Sequence, residues 1–227
     1  MQIKYEGHEQ LSVMSLAKFY NQTLYSFINK DINSNQSILD FGAGIGEFSN
    51  RFTNQKRVYV VEQDDIQLNM SHTKNKFKSI QQLEKQKFDL IYSLNVLEHI
   101  QNDKEIIQKL STHLNTNGEF RIFVPAKMEL YSSMDKAVGH FRRYERDELI
   151  KLFTLSDFKI ISCTYFDFLG YFAALIYKFF GNKDGDISEK SILFYDKVVF
   201  PISLFIDKIS FGKLIGKNLM LIARKVT

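Results

Sequence analysis

The chain has 227 residues, a formal net charge of +4 and one cysteine, Cys163. A single cysteine excludes an internal disulfide and indicates a reducing compartment, while lysines scattered without a dense basic block give little support for a nucleic-acid partner. The longest nearly uncharged apolar run, 168–177, is much shorter than the roughly 20 residues that a membrane span needs, and the polar first residues are unlike a signal peptide, so we expect one cytoplasmic domain spanning 1–227.

Apolar periodicity predicts helices that alternate with short strands. The first helix, 9–30, lies in an N-terminal helical segment, 1–33, and its apolar residues recur at spacings of four and three. These residues are Val13, Ala17, Tyr20, Leu24 and Phe27. The elements predicted after it are strands at 37–42, 57–62 and 88–94, a helix at 102–114, a strand at 119–125, a helix at 146–153, and strands at 158–166 and 218–226.

This alternation implies an α/β fold whose doubly wound, mostly parallel sheet has helices on both faces. Ligands of such sheets bind at the carboxyl ends of the strands. Three glycines, Gly42, Gly44 and Gly46, follow the first predicted strand, and we expect a helix after them. Gly42 would permit the tight turn, Gly44 a close approach of backbone to ligand, and Gly46 close packing of the helix.

Glu62 ends the second predicted strand, about 20 residues after the first glycine. A carboxylate at this place can accept two hydrogen bonds from the vicinal hydroxyls of a ribose. The glycine spacing after Asp40 is G-x-G-x-G, whereas a dinucleotide-binding turn has G-x-G-x-x-G. A nicotinamide-dependent oxidoreductase would therefore need the third glycine one residue later.

The stretch ILDFGAGIGEFS resembles the first motif of class I S-adenosylmethionine-dependent methyltransferases, in the methyltransferase domain type 11/12 superfamily. FDLIYSLNVLEHIQND is similar to their fourth-strand motif, and LNTNGEFRIFVPA to their fifth strand. The resemblance covers essentially the whole chain and implies a Rossmann-like, seven-stranded sheet. It also implies S-adenosylmethionine as cofactor and S-adenosylhomocysteine as product. The cofactor-binding residues that it implies are Asp40, Gly42, Ala43, Gly44, Glu62, Gln63, Asn95 and Leu97, with Ser79, Ile80 and Gln81 as candidates near the adenine.

The stretch NVLEH raises the question of a metal. Some quinone-pathway O-methyltransferases of this superfamily bind a divalent ion through E-x-x-E-H, but here Asn95 stands in place of the first glutamate, before Glu98 and His99. A hard cation prefers anionic oxygen ligands. The sequence therefore predicts no metal site, and Glu98 and His99 are expected to begin a helix.

The segment 127–145, after the fifth strand, is similar to a subgroup that carries Gly-His-x-Arg-Arg-Tyr, and we expect it to be a substrate loop over the transferred methyl group. His140 is the candidate general base, because a histidine titrates near neutral pH. Asp135 and Tyr144 are the further candidate catalytic residues.

Two arginines of this loop, Arg142 and Arg143, are candidate substrate-binding residues, because paired guanidinium groups can hold a carboxylate or phosphate. Tyr131 is a third candidate for substrate binding. The alternative is a surface loop in which the arginines pair with Glu145 and Asp147 and the tyrosine that follows them fills the core.

Residues 166–214, before the last strand, are strongly apolar and aromatic, and we expect two helices that cap the substrate end of the sheet. An apolar cap indicates a hydrophobic or lipid-linked acceptor, or peripheral contact of 166–211 with the inner membrane surface. A homodimer interface and an ordinary helical layer are the alternatives.

The sequence thus predicts a methyltransferase that acts at oxygen on a small-molecule, glycan or lipid-linked acceptor. An enzyme that methylates nitrogen in nucleic acid or protein is one alternative, although such enzymes often have Asn/Asp-Pro-Pro-aromatic where this chain has SLNVLEH. A protein that binds the cofactor without turnover is another, since its first motif would look the same.

Overall fold

The computed structural model describes residues 15–52, 57–154, 158–180 and 188–226, so the predicted start of the first helix, including Val13, lies outside the described residues. The strands are β1 (Ile38–Phe41), β2 (Val58–Val61), β3 (Asn75–Phe77), β4 (Phe88–Leu94), β5 (Leu114–Pro125), β6 (Phe158–Phe166) and β7 (Asn218–Lys225). The helices are α1 (Lys18–Asn29), α2 (Asp65–Met70), α3 (Asp103–Thr112), α4 (Ser133–Ala137), α5 (Arg146–Thr154), α6 (Phe168–Phe180), α7 (Glu189–Phe194) and α8 (Phe200–Ile209).

All seven strands form one sheet in the order β3-β2-β1-β4-β5-β7-β6. Strands β1 to β5 pair in parallel, while β7 runs antiparallel to both β5 and β6. The predicted doubly wound, mostly parallel sheet is confirmed. Because β1, β2, β4 and β5 are parallel, the segments that follow them meet at one edge of the sheet.

Helices cover both faces of the sheet, as the alternation of elements predicts. On one face, Ile107 of α3 and Leu149 of α5 belong to the main apolar core. On the other face, Tyr20 of α1 and Phe200 of α8 pack together, with ring centroids 4.7 Å apart. Burying apolar side chains on both faces is the main favourable term that holds these layers together.

The glycine turn departs from the prediction, because no helix of several turns follows it. Gly42, Gly44 and Gly46 all have positive φ angles, and only a short 3-10 helix, Ser49–Arg51, comes next. Three left-handed residues within five positions take the place of the first turn of an α-helix.

Two strands also differ from their predicted extents. Strand β3 was not expected, because its three residues are only half buried and show no apolar run. Strand β5 begins at Leu114 rather than at 119, and a register shift against β4 takes up residues 115–118.

The predicted helical cap is present as α6 and a second helix, 189–209, made of α7, a π-helical stretch (Tyr195–Val199) and α8. We call 189–209 the cap helix. No helix in the described part of the chain combines the length and apolar character that a membrane crossing requires.

The cap helix supplies the N-terminal cap of α1. The residue before α1, Ala17, has no side chain that could cap it. Instead, buried Asp196 accepts hydrogen bonds from the backbone N–H groups of Phe19 at 3.0 Å and Tyr20 at 2.8 Å. A carboxylate satisfies the orphan donors of a helix start and interacts favourably with the helix dipole.

We expect Asp196→Ala to lower the free energy of unfolding by about 3 kcal/mol, because it leaves one buried and one part-buried N–H group without an acceptor. Chemical denaturation measures this change. Glu189→Ala is the matched control on the exposed side of the same helix and should change stability by less than about 1 kcal/mol. Equal stability of the two variants would contradict the capping role.

Candidate functional site

The glycine turn after β1 forms the first part of the site. The N–H of Gly42 donates to the carbonyl of Val61 at 2.9 Å, which joins the turn to the end of β2. A Cβ on Gly42 would lie 2.3 Å from a methyl carbon of Val96, whereas one on Gly44 would approach only the side-chain oxygen of Gln67, at 3.2 Å. The backbone at Gly44 is therefore the part of the turn that a ligand can approach.

Glu62 lies directly after β2 and holds this turn in place. Its carboxylate accepts a hydrogen bond from the N–H of Gly44 at 2.8 Å and from the N–H of Asp64 at 3.0 Å. A carboxylate has about four acceptor sites, so two remain for a ligand diol. The geometry fits the ribose-binding role that the sequence predicts for Glu62.

Asp40, on β1 beneath the turn, is buried. Burial raises its pKa to about 7, although the neighbouring Tyr92 and Ser49 partly oppose the rise. A cationic ligand nearby would favour the charged carboxylate. Asp40 is thus suited to respond to the positive end of a ligand.

The remaining predicted cofactor residues occupy unequal positions. Asn95 is exposed, with φ +53°, and its N–H donates to the carbonyl of Phe123 at 2.8 Å. Leu97 is fully buried, so only its backbone is near the site, whereas Gln63 is exposed. Ala43 lies in the turn itself, and its N–H donates to the carbonyl of Val61 at 3.3 Å.

The adenine candidates are also divided. The side chain of Ile80 is in the main core, Gln81 is exposed, and Ser79 is half buried. A cleft of about 610 Å³ lies between α1 and the residues that follow the glycine turn, and Tyr25 and Glu47 line it.

A histidine–carboxylate pair lies in the loop after β5. His140 Nδ1 is 2.8 Å from Oδ1 of Asp135, which also accepts a hydrogen bond from Nε of Arg143 at 2.9 Å. Burial alone would raise the pKa of Asp135, but the hydrogen bond with His140 and the charge of Arg143 outweigh it and hold the pKa at about 2. Asp135 is therefore ionised at neutral pH, and it orients the imidazole ring.

The other ring nitrogen of His140 faces a buried acid from the turn after β4. His140 Nε2 lies 3.8 Å from Oε1 of Glu98, and the rings of His140 and His99 contact edge to face, with centroids 4.5 Å apart. A backbone hydrogen bond from Phe141 N–H to the carbonyl of Glu98, 2.8 Å long, joins the two segments. The contact of Glu98 and His99 with His140 was not predicted from the sequence. It could have been, because these residues follow β4 and β5, two neighbouring parallel strands.

Burial dominates the electrostatics of this cluster. Glu98 is fully buried, neither carboxylate oxygen has a hydrogen-bond partner among the described residues, and its pKa is raised to about 8. Burial lowers the pKa of His99 to about 4, and the neighbouring His140 adds to this effect. Near neutral pH a protonated acid thus lies beside a neutral imidazole.

One ligand atom each from Glu98, His99 and His140 lies within 4.8 Å of the others, so this group could hold a divalent ion. The group differs from the E-x-x-E-H set considered from the sequence, because Asn95 is not part of it. Instead of beginning a helix, Glu98 and His99 belong to a single 3-10 turn, Leu97–His99.

The remaining loop residues have partners within the chain. Arg142 donates to Asp103 at 2.9 Å, and so does the hydroxyl of buried Tyr144, at 2.8 Å. Tyr144 therefore fills the core, as expected if this segment is a surface loop rather than a catalytic one. The partners of the arginines differ from that expectation, because they are Asp103 and Asp135 rather than Glu145 and Asp147. The Tyr131 hydroxyl donates to the carbonyl of His140 at 2.7 Å.

We expect Glu98→Gln to become more stable than the wild type as the pH rises from 5 to 8 in the presence of EDTA. The pKa of Glu98 is about 8 in the fold, against 4.5 for an ordinary glutamate. The unfolded chain therefore loses this proton first, so the wild type loses stability over this range and the variant does not. The difference should be on the order of 4 kcal/mol at pH 8, measured by denaturation across the range.

Addition of Zn²⁺ or Mn²⁺ in place of EDTA tests whether Glu98, His99 and His140 bind a divalent ion instead. A metal-dependent stabilisation of the wild type that Glu98→Gln lacks would identify a metal centre and contradict the neutral-acid prediction.

Comparisons with solved structures agree with this fold. An S-adenosylmethionine-dependent methyltransferase from Mesorhizobium loti is similar, with a TM-score of 0.62 over 92% of this chain and 100% of that chain, at 12% identity. The plantazolicin methyltransferase BpumL, in complex with SAH, has a TM-score of 0.55 over 98% and 88% of the two chains, at 14% identity. The [4+2]-cyclase SpnF has a TM-score of 0.56 over 89% and 80%, at 14% identity.

At these identities the structures show a shared fold, and a fold alone does not determine the reaction. No curated protein sequence matches this chain. A family model described as a methyltransferase domain matches residues 15–163, which is more than half of the chain. The narrower Gly-His-x-Arg-Arg-Tyr subgroup stays a prediction. The chain belongs to the methyltransferase domain family, and it has the Rossmann-like class I fold that the sequence predicts.

Proposed function

We propose that this protein transfers a methyl group from S-adenosylmethionine to an oxygen atom of a hydrophobic or lipid-linked acceptor. The observation that supports this most directly is the Asp135–His140 pair, which lies after β5 and beside the turn after β4. These strands are neighbours in the sheet, and β4 also adjoins β1, which carries the glycine turn. This strand order supports a proton acceptor on the same edge of the sheet as the predicted methyl donor.

His140 and Asp135 divide the work of proton transfer. The ionised carboxylate of Asp135 accepts a hydrogen bond from Nδ1–H of His140, so the lone pair of the ring is on Nε2. The acceptor hydroxyl gives its proton to Nε2, and Asp135 stabilises the resulting imidazolium. The protonated Glu98 that faces Nε2 adds no second negative charge there.

The other residues of the site hold and align the cofactor. S-adenosylmethionine, when bound, supplies an electrophilic methyl group on a sulfonium. Glu62 would bind the ribose through its free acceptor sites, the open backbone at Gly44 would lie against the ligand, and Asp40 would face its cationic part. Correct alignment alone can contribute on the order of 7–11 kcal/mol to catalysis.

The helical cap supports a hydrophobic acceptor. The hydroxyl of Tyr171 on α6 donates to the carboxylate of Glu129 at 2.7 Å, and Lys178 Nζ donates to the carbonyl of Glu129 at 2.6 Å. Glu129 belongs to the predicted substrate loop, so the apolar cap and this loop are joined directly. An apolar acceptor could therefore reach the loop along the cap.

A screen with cofactor labelled at the methyl group tests the proposal. The acceptors include hydroxyl, carboxyl and amino compounds, polyprenyl-linked sugars and RNA, and mass spectrometry identifies the methylated atom. Label on oxygen supports the proposal, whereas label on nitrogen overturns it. Cofactor binding without transfer to any acceptor would favour a binding protein without turnover.

We expect Glu62→Ala to weaken S-adenosylmethionine binding by about 1–3 kcal/mol in calorimetry, because a charged acceptor is lost. Glu62→Gln should fall between wild type and Glu62→Ala, since the amide keeps one acceptor oxygen. Glu105→Ala, an exposed acid on α3, is the control and should bind like the wild type. Unchanged affinity in both Glu62 variants would contradict the assigned cofactor site.

We expect His140→Ala to lower kcat by roughly 10²–10⁴-fold with an acceptor found in the screen, while the Kd for the cofactor stays unchanged. Added imidazole should restore part of the rate, because it can replace the missing base. His113→Gln is the control, since this half-buried histidine lies at the opposite edge of the sheet, before β5. A kcat near the wild-type value in His140→Ala would refute the general-base role.

A further inference from the structure

The cap helix has a second apolar stripe that faces outward, in addition to the buried Ile192 and Phe200 on its inner side. The exposed residues of this stripe recur at spacings of four, four, three and four, and their exposed fractions range from 46% to 63%. They are Phe194, Val198, Ile202, Phe205 and Ile209. Helix α6 adds Phe172, Ile176 and Phe179, which are 43% to 69% exposed. We call these eight residues the apolar face.

The inward side of the cap helix carries polar groups beside the buried apolar residues Ile192 and Phe200. Asp196, Ser203 and Asp207 are all buried. Asp207 accepts hydrogen bonds from the N–H groups of Asp167 at 2.6 Å and Phe168 at 3.2 Å, at the start of α6. The buried acids therefore have backbone partners inside the molecule, whereas the side chains of the apolar face are largely exposed.

Lysines border the apolar face. Lys190, Lys197 and Lys208 are exposed along the cap helix, and we call these three residues the lysine row. Lys178 on α6 is exposed as well. In the described parts of α6 and the cap helix, Glu189 is the only exposed acid, because the aspartates face inward.

We propose that α6 and the cap helix dock on an anionic membrane surface. The apolar face would enter the boundary between headgroups and acyl chains, as amphipathic helices do when they lie in the interface plane. The lysine row would lie against anionic headgroups, at a level where long basic side chains keep their charge in water. Both features are needed, since a lone apolar patch does not distinguish lipid from protein.

Charge favours a lipid surface over a second copy of this chain. A two-fold interface brings the same patch of both copies together. Here it would bring the lysine rows together, with Glu189 as the only described acid on these helices to pair with them. An anionic membrane neutralises the same row. Tyr171 and Lys178 also join α6 to the substrate loop, so docking would bring this loop close to the lipid surface.

Vesicle flotation of the purified full chain tests the proposal without any measurement of activity. We expect the protein to float with vesicles of phosphatidylcholine and phosphatidylglycerol, and much less with phosphatidylcholine alone. The triple variant Lys190→Glu, Lys197→Glu, Lys208→Glu should bind the anionic vesicles about 100-fold or more weakly. The matched control, Lys74→Glu, Lys85→Glu, Lys104→Glu, has the same net charge and should keep its binding.

A second pair of variants tests the apolar face. Ile202→Ser combined with Phe205→Ser should lower vesicle binding at least about tenfold without loss of the fold, because both side chains are exposed. Ile66→Ser, which removes an exposed apolar side chain on α2, is the control.

Three results would overturn the proposal. The first is failure to float with anionic vesicles. The second is an equal loss of binding in the lysine variant and in its charge-matched control. The third is a dimer in light scattering that the Ile202→Ser, Phe205→Ser variant dissociates, which would make the apolar face an interface between copies. Vesicle flotation tests only the membrane docking, and the acceptor screen tests only the methyl transfer to oxygen. Failure of one proposal therefore leaves the other standing.

Discussion

A carboxylate that accepts two backbone N–H groups is the interaction on which both ends of this molecule depend. Half-buried Glu62 holds the glycine turn through Gly44, buried Asp196 holds the start of α1, and buried Asp207 holds the start of α6. Each pairing gives a partner to backbone donors of a turn or helix start, and at Asp196 and Asp207 it also offsets the loss of water around a buried carboxylate. The cofactor end and the cap end are thereby attached to the sheet by the same kind of bond.

The chemistry of the site follows from the parallel pairing of β4 and β5. Segments after neighbouring parallel strands leave the sheet at the same edge, so the turn with Glu98 and the loop with His140 meet there. One consequence is electrostatic. Burial keeps Glu98 protonated near neutral pH, whereas His140 and Arg143 keep Asp135 ionised. Of the two carboxyl groups that face the same imidazole, one is thus neutral and the other is negatively charged. Sites of proton transfer often use this arrangement.

The sequence was sufficient where a local pattern determines the structure. Continuous apolar runs predicted β4 and β6 with their observed bounds, and the glycine spacing located the turn that Glu62 holds. It was insufficient where the partner is distant or the signal is short. The cap of α1 comes from Asp196, 176 residues from Tyr20, and β3 has only three half-buried residues. Likewise, the alternative to substrate binding paired the arginines with Glu145 and Asp147, whereas the partner of Arg142 is Asp103, 39 residues away.

The cap helix shows why periodicity does not determine which side of a helix is buried. A spacing of four predicts that Phe194, Val198 and Ile202 share a face, but it does not say whether that face is buried or exposed. In this structure the N–H groups at the starts of α1 and α6 are bonded to Asp196 and Asp207 on the inner side of the cap helix. Phe200 is buried on the inner side as well. Because the inner side holds these acids and its own apolar contacts, the second apolar stripe faces outward.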